Sequence, residues 1–278
     1  MGQCMAVSAG CERQLEEIWR SGFPEDGTDI VRAFFSAFPP VKHAVAYWEE
    51  GRPVSMAFLL PAVWHVQGKV LPSQYLYAAA TLPAFRGRGI FAELLRYAHR
   101  YAEENGRAAT FLRPGEPSLF SYYARLGYLA YFGVVTLTLS PESVAKPLLP
   151  VRRVTVARYS ELRTRYLSER HASWIEWPVS VMSYAVSTAG EGGVYCVGDA
   201  VALCEPTTDK LMVRELFCPP ERRQAVLLSL AGYFGHRRVT AWTPAEDTEE
   251  IVPVGMLCPH IPLPQADSGN PFMGLTLE

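Results

Sequence analysis

The 278-residue sequence lacks several features that would define its class at once. None of its six cysteines forms a C-x-x-C pair, basic residues do not outnumber acidic ones, and no apolar run is long enough to span a membrane. The N-terminus has no basic segment followed by an apolar core, so we expect no secretory signal. These absences argue against a metal or disulfide scaffold, a nucleic-acid partner and a membrane protein. They favour a cytoplasmic protein with reduced thiols.

The composition is that of a folded protein. Hydrophobic residues make up 49% of the chain and charged residues 19%, and the formal net charge is -2. Chains of this composition bury enough apolar surface to fold. The length fits one large domain or two domains of ordinary size.

The first half of the chain changes from helical to extended and then to alternating patterns. Apolar spacing predicts helices at residues 11–20, 29–38, 91–102 and 119–126. Alternating and apolar runs predict strands at residues 44–48, 54–60, 64–71, 75–82, 108–112 and 134–139, with turns at 49–53 and 67–69. This order predicts an α/β fold of the α+β type, in which helices pack on a mixed sheet.

A second pattern begins after residues 140–150, which contain three prolines and read as a linker. It has strands at 151–156 and 211–217, a helix at 160–170 and a hairpin at 195–204. Residues 77–114 and 212–244 share the order strand, proline turn, helix, strand, although any β-α-β unit would share it. We therefore predict two domains, 1–143 and 151–278, of which the second is a degenerate copy of the first.

The most specific local feature is the loop at residues 82–91, LPAFRGRGIF, between a predicted strand and a predicted helix. The start of a helix presents unpaired N–H groups and the positive end of the helix dipole. Gly87 and Gly89 let the backbone approach an anion, and Arg86 and Arg88 supply charged donors. The loop therefore predicts a pyrophosphate site. Neither the G-x-G-x-x-G pattern nor a P-loop is present.

This loop resembles motif A of the GNAT superfamily of N-acetyltransferases, [RQ]-x-x-G-x-[GA], since Arg86 and Gly89 match and Phe91 departs from it. The segment 123–128, YARLGY, resembles motif B of the same family. The resemblance covers residues 5–140. The two-part layout is similar to acetyltransferases of the enhanced-intracellular-survival type, so the expected fold is a GNAT-like first domain followed by a degenerate GNAT-like second domain.

The resemblance implies acetyl-coenzyme A as cosubstrate and a primary amine of a small molecule or peptide as acceptor. In the family, the strand before motif A binds the pantetheine arm through its backbone, which here means residues 79–82. Small side chains at 78–80 would let the cofactor lie close to the sheet; alternatively, a helix simply covers them. The expected cofactor-binding residues are Ala80, Thr81, Leu82, Arg86, Gly87, Arg88, Gly89, Ile90 and Phe91.

Tyr123 is the candidate general acid, because a tyrosine with a pKa near 10 stays protonated at neutral pH and can protonate a departing thiolate. Tyr122 is a competitor, and Tyr123 could instead be a core aromatic. Several residues remain open as the general base: Glu25, Asp26, Glu49, Glu50, His65 and Glu278.

The corresponding loop of the second domain, PPER at residues 219–222, is unsuited to phosphate. It has no glycine, its prolines remove N–H donors, and Glu221 adds a repelling charge. We expect this domain to close the acceptor pocket, with Trp174, Trp177 and Tyr184 as candidate lining or core residues, or to form a subunit interface in a homo-oligomer. Two non-catalytic alternatives remain, an acyl-coenzyme A sensor and an interaction module.

Overall fold

The computed structural model describes residues 2–140, 147–246, 249–263, 270–275 and 277. Within these residues the helices are α1 Glu12–Gly22, α2 Thr28–Ala37, α3 Pro40–His43, α4 Ile90–Glu104, α5 Ser118–Ala124, α6 Val156–Arg170, α7 Val179–Ser187 and α8 Arg223–Phe234. Two short 3-10 turns, Pro83–Phe85 and Pro220–Arg222, precede α4 and α8.

The strands alternate with these helices along the chain. They are β1 Gln3–Ala6, β2 Ala44–Glu49, β3 Arg52–Val66, β4 Lys69–Thr81, β5 Ala109–Leu112, β6 Leu129–Leu139, β7 Val151–Arg153, β8 Ser173–Glu176, β9 Gly193–Val197, β10 Ala200–Pro206, β11 Leu211–Phe217, β12 Val239–Thr243 and β13 Val252–Pro259.

The described chain divides into two compact units. The first contains residues 1–64, 70–130 and 256–263, and the second contains residues 65–69, 131–255 and 264–278. The strand β6 thus groups with the second unit, and the second half of β13 groups with the first. The predicted linker lies largely in residues 141–146, outside the described residues.

In the first unit the sheet runs in the order β1, β2, β3, β4, β5 and β13. The pairing of β4 with β5 is parallel, whereas β5 pairs with β13 in the antiparallel sense. Because side chains alternate between the faces of a strand, the two faces carry different cores. On one face α4 and α5 pack on Ala57 and Leu59. On the other face Phe58 contacts Trp19 of α1, with ring centroids 5.9 Å apart, and Phe34 of α2, at 4.9 Å.

In the second unit the sheet runs in the order β6, β12, β11, β10, β9 and β7. Its apolar core forms between this sheet and α8. A buried ion pair joins Arg163 of α6 to Glu215 of β11, with Nη2 and Oε1 3.0 Å apart. The predicted hairpin at 195–204 is confirmed by the pairing of β9 with β10, and Gly198 has φ +64 in its turn.

The predicted mixed α/β fold is confirmed, and most predicted elements are present. The prediction of two separate strands at 54–60 and 64–71 was wrong. β3 continues through Pro61 as one strand, and the chain turns only at residues 67 and 68. The elements β1, α3, β8, α7 and β13 were not predicted. The similarity between residues 77–114 and 212–244 extends to the sheet, where β4–β5 and β11–β12 are both parallel pairs.

Candidate functional site

The loop between β4 and α4 has the strand-loop-helix geometry predicted from its sequence. Thr81 ends β4, a 3-10 turn follows at Pro83–Phe85, and α4 begins at Ile90. Gly87 and Gly89 have φ +74 and +76, a left-handed conformation that glycine adopts without steric cost. A Cβ added to either glycine would meet no atom within 4 Å, so the backbone is open on this side.

The start of α4 has N–H groups available for an anion. The first bond of this helical turn runs from the N–H of Glu93 to the carbonyl of Gly89, at 3.1 Å. The N–H groups of Ile90, Phe91 and Ala92 therefore precede the intrahelical pattern. Gly89 is the N-cap residue and has no side chain to occupy them. An oxyanion would satisfy these donors and the positive end of the helix dipole.

The two arginines of the loop have different partners. Arg86 donates from Nε to the carbonyl of Thr81 at 2.9 Å and from Nη2 to the carbonyl of Ser21 at 3.0 Å, which fastens the loop to the ends of β4 and α1. Arg88 donates from Nη2 to Oε1 of Glu49 at 2.7 Å, and its guanidinium lies 5.2 Å from the ring centroid of Phe85. Arg88 has more donors left for an incoming phosphate, since backbone carbonyls occupy two groups of Arg86 and Glu49 occupies one group of Arg88.

The strand β4 opens away from β5 just before the loop. Their described pairing is confined to Gln74 with Thr110 and Tyr75 with Phe111. Three residues further along β4, Ala78 has φ +47, an unusual conformation for a residue with a side chain. The backbone of β4 between Ala78 and Thr81 therefore forms an edge that β5 does not cover.

The backbone of residues 80–82 is partly occupied on the β3 side. The N–H of Leu82 donates to the carbonyl of Val54 at 2.9 Å, and Ser55 Oγ donates to the carbonyl of Ala80 at 3.0 Å. Since hydrogen bonding alternates along a strand, Thr81 directs its backbone groups to the opposite, open edge. Of the three predicted residues, Thr81 is the one whose N–H lies at the open edge, while its carbonyl already accepts from Nε of Arg86 at 2.9 Å.

The alanines of β4 differ in their surroundings. A Cβ built on Gly22 of α1 would lie 2.7 Å from the Cβ of Ala80, so the end of α1 covers that side chain. Ala79 instead packs against the apolar cluster that contains Tyr123. The alternative explanation for these small residues, cover by a helix, thus applies to Ala80.

Tyr123 lies in α5 and is buried, with 9% of its surface exposed. Burial, with a smaller contribution from Tyr122, raises its pKa to about 12. Its ring packs edge-on to Phe91, with ring centroids 6.4 Å apart, and Tyr122 stacks on the same Phe91 at 6.1 Å. Burial also raises the pKa of Tyr122. Phe91 therefore connects the start of α4 to both tyrosines, and both remain protonated at neutral pH.

The candidate bases in the first unit have various partners. Asp26 accepts a hydrogen bond from Nε1 of Trp19 at 2.7 Å, whereas Glu25 is exposed. The sequence position of Glu49 suggested a free turn residue, but its carboxylate accepts a hydrogen bond from Arg88. Glu50 is exposed in the turn, with φ +52.

The other two candidate bases lie elsewhere. His65 belongs to the second unit, where Nε2 lies 2.6 Å from Oε2 of Glu176 and the ring stacks on Trp174 with centroids 4.0 Å apart. These contacts fix the position of the His65 ring. Glu278 lies outside the described residues.

The three candidate aromatic residues of the second unit are part of its core. Trp174, Trp177 and Tyr184 are all buried, and Trp177 donates from Nε1 to the carbonyl of Met273 at 2.9 Å. The loop before α8 has no left-handed residue where the first unit has Gly87 and Gly89, and Arg222 there forms an ion pair with Asp199. The second loop thus differs from the first in geometry as well as in charge.

Comparison with known proteins agrees with this geometry. Residues 6–130 match the profile of the family described as Acetyltransferase (GNAT) domain. This segment, which is less than half of the chain, is similar to GNAT acetyltransferase domains. No curated protein matches the chain significantly.

Solved structures of low sequence identity share the fold over most of the chain. A GCN5-related N-acetyltransferase from Kribbella flavida has a TM-score of 0.72 at 19% identity, and the aligned region covers 92% of this chain and 70% of the Kribbella chain. One from Anabaena variabilis has a TM-score of 0.71 at 15% identity, covering 92% and 72%. Eis1 from Mycobacterium abscessus has a TM-score of 0.67 at 13% identity, covering 93% and 73%. The similarity to Eis1 confirms the predicted resemblance to two-module acetyltransferases.

The described residues contain no group of three or more His, Cys, Asp or Glu side chains that could hold a metal ion. Each of the described helices is too short or too polar to cross a bilayer.

Proposed function

We propose that this chain transfers an acetyl group from acetyl-coenzyme A to a primary amine of a small molecule or peptide, by direct attack of the amine in a ternary complex. The main support is the start of α4, where left-handed Gly87 and Gly89 leave the N–H groups of the first turn open to an anion. That loop adjoins the uncovered edge of β4, and Phe91 connects it to Tyr123.

The residues of the first unit fit the parts of this cosubstrate. The N–H groups at the start of α4 and the guanidinium of Arg88 suit its pyrophosphate. The open edge of β4 offers the N–H of Thr81 to the carbonyls of its pantetheine arm. Ala79 lies between this edge and the cluster around Tyr123, against which it packs.

The reaction joins the amine nitrogen to the acyl carbon and breaks the bond from that carbon to sulfur. The amine must be neutral to attack, and it loses one proton as the amide forms. In this proposal Tyr123 donates its hydroxyl proton to the sulfur as the bond breaks and regains a proton afterwards. The raised pKa of Tyr123 keeps this proton in place at neutral pH.

A thiol-release assay tests the proposal directly. The full chain is incubated with acetyl-coenzyme A and polyamines, aminoglycosides, amino acids or peptides, and the acetylated product is identified by mass. Binding alone is measured in parallel by the rise in melting temperature with acetyl-coenzyme A. Thermal stabilisation together with amine-dependent thiol release supports the transferase. Stabilisation without release from any acceptor would support a sensor, and no stabilisation would support an interaction module.

A further inference from the structure

The first unit has a cavity at the C-terminal end of α4, opposite the phosphate loop at its N-terminal end. Its volume is about 140 Å³, and its walls come from β1, α3, β2, β3, β4 and the end of α4. Tyr101 lines it, whereas the phosphate loop ends at Ile90; eleven residues of helix span about 16 Å. The cavity is therefore distinct from the candidate cofactor site.

The polar lining of this cavity combines two positive charges with neutral polar side chains. Lys42 and Arg107 are cationic at neutral pH, and His43, Asn105, Tyr101 and Gln74 complete the polar lining. No carboxylate is among the residues that line it in the described part of the chain. Two cations on separate elements, without a counter-charge in the cavity, create a positive potential there.

The cavity has a rigid, buried floor. Val45 and Leu59 are 1% and 7% exposed, and Gln74 is 4% exposed. The carboxamide of Gln74 is fixed, since Nε2 donates to Thr110 Oγ1 at 3.0 Å. The ring of His43 packs edge-on to Phe38 with centroids 5.8 Å apart. The positions of Gln74 and His43 are thus set by packing before a ligand arrives.

The carbonyls at the C-terminal end of α4 accept hydrogen bonds, which reduces their electrostatic repulsion of an anion. The carbonyl of Tyr101 accepts from Asn105 Nδ2 at 2.7 Å, that of Ala102 accepts from the N–H of Arg107 at 2.9 Å, and that of Glu103 accepts from the N–H of Gly106 at 3.0 Å. These bonds offset much of the negative end of the helix dipole.

We propose that this cavity binds a small oxyanion, a phosphate or short carboxylate, between Lys42 and Arg107. The size suits such a ligand, since a cavity of about 150 Å³ holds a benzene molecule. The ligand would be a free anion, separate from acetyl-coenzyme A. The proposal does not depend on the proposed transferase activity, because the cavity and the phosphate loop share no residue.

Titration calorimetry of the full chain with inorganic phosphate and with acetate tests this site. The Gly89→Asp variant serves as the background, because phosphate could also bind at the start of α4. We expect saturable binding of at least one anion, weakened about tenfold by Lys42→Gln or Arg107→Gln, since each removes a charge-assisted hydrogen bond. Ala6→Phe fills the mouth of the cavity from an exposed position and should also abolish binding.

Arg100→Gln is the matched control, because it removes a positive charge from α4 outside the cavity, and it should leave the affinity unchanged. Binding lost equally in this control would show only a general attraction of anions and would overturn the proposal. Absence of binding of both anions in the millimolar range would overturn it as well, as would binding that depends solely on Gly89. Melting curves confirm that each variant is folded.

Discussion

Arg88 donates a hydrogen bond from Nη2 to Oε1 of Glu49 at 2.7 Å, although the two residues stand 39 positions apart in the chain. The other oxygen of Glu49, Oε2, is buried and has no hydrogen-bond partner among the described residues. The pair raises the pKa of Arg88 and holds a carboxylate next to the candidate phosphate site. Glu49 therefore competes with a phosphate for the same guanidinium.

Replacing Glu49 with Gln should strengthen binding of acetyl-coenzyme A. The change frees Arg88 and removes a negative charge near the pyrophosphate, and we expect affinity to rise about two- to fivefold, the range of an exposed ion pair. Titration calorimetry at low and high salt measures it. Glu50→Gln, which removes a charge from the adjacent exposed turn, is the control. Weaker binding in Glu49→Gln would mean that the pair positions the loop.

Replacing Tyr123 with Phe should lower turnover and leave the affinity for acetyl-coenzyme A unchanged. The hydroxyl acts only as the C–S bond breaks, and general acids of this kind contribute about 100- to 10,000-fold. A coenzyme A thiolate is a fairly stable leaving group, so we expect a loss of about 100-fold. The measurement is the steady-state rate with an active amine, alongside Tyr122→Phe at matched folding stability.

The two tyrosine variants separate the alternatives. A large loss in Tyr122→Phe alone would assign the acid to Tyr122, and near-native rates in both would exclude each of them.

Because the pKa of Tyr123 is about 12, stability gained from keeping it neutral is complete below its unfolded value of 10 and is lost as pH rises toward 12. The free energy of unfolding of Tyr123→Phe should therefore fall less between pH 10 and pH 12 than that of the wild-type chain.

The chain should lose stability below neutral pH because His99 is buried without charge. Burial, with a smaller contribution from His260, lowers its pKa to about 4, and Nε2 lies 3.0 Å from the hydroxyl of Tyr128. Between pH 6.5 and pH 4 the unfolded chain binds a proton that the folded chain does not, so stability falls as pH falls. The expected loss between pH 7 and pH 5 is about 2 kcal/mol.

Urea unfolding at both pH values measures this loss. His99→Gln keeps a hydrogen-bonding group near Tyr128 but cannot titrate, so its stability should change less between the two pH values, even if it is lower throughout. An equal pH dependence in the wild-type chain and in His99→Gln would assign the effect to other groups.

The fold was predictable wherever local pattern determines structure. Residues 90–104 form α4 because their apolar stripe has helical spacing, and the turn at 67 and 68 follows from a glycine after a polar residue. The strand β13 was missed because its partner β5 lies more than 140 positions earlier, and pairing at such separation leaves no local signal. A short alternating run at 252–259 was the only indication.

The candidate site shows the same limit. The glycines and the helix start could be predicted because a phosphate loop is one continuous segment. The partner of Arg88 could not be, since Glu49 reaches it only through the folded sheet. Nor does the alanine sequence at 78–80 indicate that Ala78 adopts a positive φ, because that conformation is imposed by the tertiary structure. The cationic cavity likewise combines residues from six elements.

The central claim is that acetyl-coenzyme A binds at the start of α4, and titration calorimetry with Gly89→Asp tests it most directly. The variant places a negative charge and a side chain at a left-handed position that must face the pyrophosphate. Gly106→Asp is the matched control, because Gly106 has φ +66 and equally open space but follows the last turn of α4. We predict that Gly89→Asp weakens binding more than about tenfold, which corresponds to the loss of at least one charge-assisted hydrogen bond. Gly106→Asp should bind like the wild-type chain. Unchanged affinity in a folded Gly89→Asp would contradict the assignment.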